Sequence, residues 1–259
     1  MRRAGLALIA LLLAALPSMD RPALAQDDRR SGYDFMSPGT RAMQDDDFAN
    51  PGMLSVLEGD RLWSAPAGTS GKACADCHGP IAGTMAGVAA RYPAFDPATG
   101  GALDLAGRVD RCRTENQGAA PLAREGRDLL ALTTAVAHRS RGMPAAPPDD
   151  PRMTPTVEEG RRLYTTRMGQ LNFSCADCHD ANWGQRLGAS PIPQAHPTGY
   201  PIYRLEWQDT GSLQRRIRGC LTGVRAEPFA YGSAEFTALE AFLMVRARGM
   251  RMETPGVRP

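Results

Sequence analysis

The sequence predicts a mainly α-helical protein made of two tandem copies of one small domain, with an extended arm ahead of them. Three observations carry this expectation. The pentapeptide CADCH stands at residues 74–78 and again at 175–179. The stretches flanking each copy repeat in the same order, which marks an internal duplication. Those flanks show the apolar period of helices, and they stop at glycine.

Taken in order, residues 1–25 read as an export signal. Arg2 and Arg3 open it, an apolar run follows from Ala4 to Leu16, and Ala23-Leu24-Ala25 supplies a small-x-small cleavage site. The apolar run is too short to span a bilayer comfortably, and no later stretch is longer, so no membrane span is expected in the mature protein. The arm, residues 26–50, carries six aspartates and no sustained apolar period. It reads as extended, either loose or wrapped around a domain or partner.

The first domain, residues 51–150, has EGDRLW (58–63) before its pentapeptide, and the second, residues 151–259, has EGRRLY (159–164). Gly59 lies 15 residues before Cys74, and Gly160 lies 15 before Cys175. Downstream, GRVDRC (107–112) faces RRIRGC (215–220), and DLLALTTAVAHRSRGM (128–143) matches EFTALEAFLMVRARGM (235–250). The segment 142–156, with five prolines, is the natural joint. Each copy is small for a purely hydrophobic core, so an extra core element is expected.

The pentapeptide supplies it. C-x-x-C-H is the attachment signature of c-type haem. Two thiols bind the porphyrin vinyl groups, and the adjacent histidine ligates the iron. Cys74, Cys77, Cys175 and Cys178 are the attachment thiols, and His78 and His179 the proximal ligands. The fold is therefore two tandem c-type cytochrome domains. A zinc site needs four ligands in a compact group, and a redox dithiol leaves the second identical signature surplus.

The opposite face of each iron has several candidates. His138 and His196 do not match between the copies, whereas Met143 and Met250 do. Cys112 and Cys220 also match, and they are the only cysteines left after haem attachment. They read as iron ligands, as partners in a disulfide, or as inert buried thiols. Arginines surround both, with Arg108 four residues before Cys112 and Arg216 four before Cys220; cations nearby stabilise a thiolate. Gly219 leaves room for a close approach to the second sulfur. The second copy also has a longer loop, 187–207, suited to shaping a substrate mouth or to packing over the haem.

Lys and Arg number 30 against 28 Asp and Glu, and cleavage after Ala25 leaves 27 of each. So balanced a charge excludes a general nucleic-acid binder. Rival readings of two haems are a pure electron carrier, a dihaem peroxidase and a haem-based sensor.

Together the two CxxCH words and the cysteines Cys112 and Cys220, with RRIRGC the most specific context, make the chain resemble the SoxA family. These are dihaem subunits of the SoxAX cytochromes of periplasmic sulfur oxidation. The resemblance implies an L-cysteine S-thiosulfotransferase, which joins thiosulfate to a cysteine thiol of the carrier SoxYZ and releases two electrons. It implies the monohaem cytochrome SoxX as partner and the periplasm as location. It implies two covalent haems with Cys112 and Cys220 as the second axial ligands, Cys220 being modified to a persulfide. It also implies Arg216, and with it Arg246, as active-site arginines.

Overall fold

The computed structural model of the chain describes residues 28–259. The expected export signal lies outside the described residues. Among the described residues no helix is long and apolar enough to cross a membrane.

The arm is folded, not merely extended. Ser31 caps a short 3₁₀ turn, Gly32–Phe35. Ser37 caps helix α1, Pro38–Asp45, by accepting from the Thr40 amide, and Pro38 supplies a preset first-turn φ. The arm wraps the second domain. Gln44 Oε1 accepts from the Val257 amide at 3.0 Å, and Asn50 Nδ2 donates to the Pro255 carbonyl at 2.9 Å.

The first copy runs through α2 (Met53–Trp63), α3 (Cys74–His78), α4 (Ile81–Thr84), the hairpin β1 (Ala94–Asp96) and β2 (Gly101–Leu103), α5 (Leu105–Cys112) and α6 (Arg127–His138). The second runs through α7 (Thr154–Thr165), α8 (Cys175–His179), the small hairpin β3 (Arg186–Leu187) and β4 (Ser190–Pro191), and then β5 (Ile202–Arg204) and β6 (Asp209–Gly211). It ends with α9 (Leu213–Gly223), α10 (Ala234–Arg246) and β7 (Gly256–Arg258). In each copy the first long helix packs on the last: α2 on α6, and α7 on α10. Leu163, Tyr164, Phe236 and Leu239 fill the core of the second copy, and Trp63, Ile81, Ala135 and Val136 that of the first.

The joint is fastened instead of loose. Gly142 and Ala145 donate to the carbonyls of Met252 and Met250 at 2.8 and 2.7 Å, which ties residues 142–145 to the end of the second copy. Met244, Ala247 and Met252 meet Ala90 and Ala145 in a core shared by both domains. Below it, Gln214 Nε2 donates to Asp104 at 2.9 Å and Ser212 Oγ donates to Glu125 at 2.5 Å. Strand β7 runs parallel to β5, whose other edge pairs antiparallel with β6.

Candidate functional site

Each pentapeptide forms one helical turn. Asp76 accepts from the Ala73 amide at 2.8 Å, and Asp177 from the Ser174 amide at 2.9 Å. In the second copy Ser174 Oγ accepts back from the Asp177 amide at 3.1 Å, a reciprocal cap, whereas Ala73 has no hydroxyl to return the bond. These caps fix where each turn begins and so where the histidine points. In the first copy Trp63 Nε1 donates to the Gly79 carbonyl at 2.9 Å, and its ring lies 5.7 Å from that of His78. In the second, His179 Nδ1 lies 2.6 Å from the Pro193 carbonyl. That contact engages one ring nitrogen and leaves Nε2 for a metal.

Cys112, the last residue of α5, faces this arrangement: its Sγ is 3.9 Å from His78 Nε2. Cys220 stands on α9, near enough to the His179 ring for that ring to hold its thiol pKa down. All six cysteines are free thiols, so Cys112 and Cys220 are not bridged to each other. The methionines are elsewhere: Met250 packs on the shared interdomain core, and Met143 lies against Gly87. His138 sits between Arg139 and Arg141, and His196 Nδ1 lies 2.8 Å from the Arg30 carbonyl.

Burial alone would raise the Cys220 thiol. The His179 ring, Arg216 and Arg204 outweigh it and hold its pKa below the ordinary thiol value. Cys175 lies close by, and burial together with Cys220 pushes its thiol up to about 12. Arg216 forms no salt bridge among the described residues, and the Cys220 charge raises its pKa against the effect of burial.

Arg216 lies near Cys220, and Arg246 is held by other partners. Arg246 pairs with Asp180 at 2.7 Å and lies over the Tyr164 ring, 4.8 Å from its centroid. It lines a cavity of about 380 Å³ with His179, Trp183, Gln194 and His196, and Cys220 is not in that wall. Arg246 therefore stands on the His179 side of the second site. The longer loop of the second copy contributes Pro193, Gln194 and His196 to the same side, so this part of it packs against His179.

The second arginine acting on Cys220 is Arg204, at the end of β5, which sequence reasoning missed. A signal for it exists. The Tyr-Pro pair at 92–93 recurs at 200–201, and that spacing aligns the hairpins as well as Cys112 with Cys220. Arg108, the first-copy counterpart of Arg216, is not a free cation: it pairs with Asp96 at 2.9 Å, and Arg111 pairs with the same carboxylate.

These donors suit haem. Each site offers one imidazole nitrogen facing one sulfur, with two further thiols on the adjoining turn. The 3.9 Å between His78 Nε2 and Cys112 Sγ brings one imidazole and one thiol to the same place, the donor pair that a haem iron accepts. Among the described residues no compact group of three or more His, Cys, Asp or Glu is arranged to hold a bare ion.

Residues 58–145 and 159–252 each match the family described as SoxA/TsdA, cytochrome c domain. The L-cysteine S-thiosulfotransferase subunit SoxA of Rhodovulum sulfidophilum is 40% identical over 232 residues, covering 90% of this chain and 81% of that one. Its counterpart from Pseudaminobacter salicylatoxidans is 37% identical over 253 residues, covering 96% and 88%. The crystal structure of SoxXA from P. pantotrophus superposes with a TM-score of 0.86 at 35% identity, covering 89% of this chain and 87% of that one. Two matched cytochrome segments, with relatives aligned along nearly the whole described length, carry one conclusion: the chain belongs to the SoxA family of haem-binding, tandem cytochrome c proteins.

Proposed function

We propose that the chain joins thiosulfate to a cysteine thiol of a carrier protein, the activity named for its SoxA relatives. One observation carries this reading most directly: Cys220, with its pKa held down, stands one helical turn from an arginine that forms no salt bridge among the described residues.

Cys74, Cys77, His78 and Cys112 would hold the first haem, the first two by thioether bonds and the others as ligands to its iron. Cys175, Cys178, His179 and Cys220 would hold the second in the same way. Bound haem would supply one-electron acceptors. The reaction consumes a carrier thiol and a thiosulfate dianion, forms one sulfur–sulfur bond, and releases a proton and two electrons. Arg216 grips the sulfonate end, because a guanidinium fork matches its oxygens. The same charge stabilises sulfur anions at Cys220 as the bond forms. Cys220 carries an added sulfur atom, a persulfide, which brings the reacting sulfur out from the helix. Arg246, paired with Asp180, lines the cavity on the His179 side of the site. The setting is the periplasm, the electron-accepting partner is the monohaem cytochrome SoxX, and the carrier is SoxYZ.

The test is turnover of the haem-loaded protein with thiosulfate and a thiol-bearing carrier. Mass spectrometry follows the cysteine S-thiosulfonate, and intact mass of the Cys220 peptide checks for the extra sulfur. Reversible haem reduction without any such product would leave a plain electron carrier and end this reading.

A further inference from the structure

The two copies differ in charge at one matched position. Asp96 and Arg204 each end the first strand of the hairpin that leads into the cysteine-bearing helix, each 12 residues before the matched arginine, Arg108 or Arg216. In the first copy the carboxylate of Asp96 is buried and binds both Arg108 and Arg111. In the second copy a guanidinium takes the place of that carboxylate. The counterpart of Arg111 is Gly219, an exposed residue with open space where a side chain would begin. The second copy has thus lost a neutralising charge, gained a cation and cleared the ground beside Cys220.

Arg204 is held firmly. Its guanidinium lies 5.0 Å from the centroid of Trp207, whose ring also carries Arg215 at 4.3 Å. Arg204 Nε donates to the main-chain oxygen of Pro259 at 2.8 Å, and Nη2 pairs with Glu206 at 2.7 Å. The Arg204 side chain is only 11% exposed, whereas that of Glu206 is 62% exposed. Burial and the neighbouring Arg216 charge both lower the Arg204 pKa. At the matched positions of the first copy the two side chains meet at 2.9 Å, so Arg204 and Arg216 stand where Asp96 meets Arg108, and a divalent anion there supplies the negative charge that the missing carboxylate would have given.

We propose that Arg204 and Arg216 together form a port for a divalent sulfur oxyanion beside Cys220, with Glu206 competing for Arg204, and that Asp96 closes the equivalent place in the first copy. The port rests on the proposed thiosulfate activity and names the second residue of its substrate grip. It also gives the duplication a division of labour: one copy admits an anion and the other does not.

Calorimetry on the full, haem-loaded protein tests this with thiosulfate as probe and sulfate as a plain tetrahedral dianion. Arg204→Asp recreates the first copy's arrangement, and thiosulfate and sulfate affinities should both fall by about 30-fold or more, as expected when one arm of a charge-assisted clamp is reversed. Glu206→Gln removes the competitor from a solvent-exposed position, and both anions should bind about 3-fold tighter or better. Arg61→Gln, a distant exposed arginine on α2, controls for net charge and should change nothing. Unaltered binding in Glu206→Gln overturns the port even where Arg204→Asp does not accumulate, and unaltered binding in Arg204→Asp overturns it outright. Arg204-dependent binding with no S-thiosulfonate product upholds the port and defeats the activity. Product formed at the parental rate by Arg204→Asp does the reverse.

Discussion

Gly160 of α7 lies so close to Ala238 of α10 that a methyl group on the glycine would stand 2.0 Å from the Ala238 carbonyl oxygen. Gly59 meets Ala131 in the same way in the first copy, at 2.1 Å. Backbone is the obstacle in both, so no rotamer change can yield the space. Gly160→Ala should force α7 away from α10 and cost about 1–3 kcal/mol or more. Thermal unfolding of the haem-loaded protein checks it, and Gly59→Ala should behave alike.

Arg216→Ala should lower thiosulfate turnover by about 10²-fold or more, the usual scale for losing a donor aimed at developing charge. Both haem absorption spectra should be preserved, because neither axial ligand is changed. Steady-state rates read beside the visible spectrum separate a lost grip from lost haem.

Cys112→Ala should remove the thiolate signature of one low-spin haem from the low-temperature electron paramagnetic resonance spectrum and leave the other. Turnover should stay within about 10-fold of the parent, since Asp96 neutralises the arginines of that copy and closes it to anions. Equal loss in Cys112→Ala and Cys220→Ala would show both copies to be catalytic.

Burial works to raise the Asp96 carboxyl, but Thr99, Arg108 and Arg111 outweigh it and bring its pKa down to about 2. A depressed carboxylate pKa adds stability above the unfolded value of about 4, and that stability is lost as pH falls through the folded value. Asp96→Asn should therefore be less stable than the parent at neutral pH. The gap should close between pH 4 and pH 2 in unfolding curves taken across that range.

The duplication, the haem signatures and the two facing cysteines were all legible in the sequence, because each is a short word at nearly fixed spacing. The glycines Gly59 and Gly160 were visible as repeated letters, but the reason for them, contact with a helix some 75 residues away, is tertiary. Arg246 looked attractive because its helix repeats Arg139. Its neighbour Asp180 captures it, and nothing in the linear text announces that pair. Arg204 was hidden for another reason. Three-residue strands carry almost no periodicity, and the longer loop before them shifts the register of the repeat. The arm was read as extended since it lacks an apolar stripe; its helix is held by caps and by the second domain.

The helices bearing Cys112 and Cys220 are bound to each other at their starting ends, where Gln214 of α9 reaches Asp104, the cap of α5, and Ser212 reaches Glu125. Whatever distance an electron crosses between the two sulfurs is thereby written into a stiff truss and not into a hinge. Its transit should be indifferent to solvent viscosity.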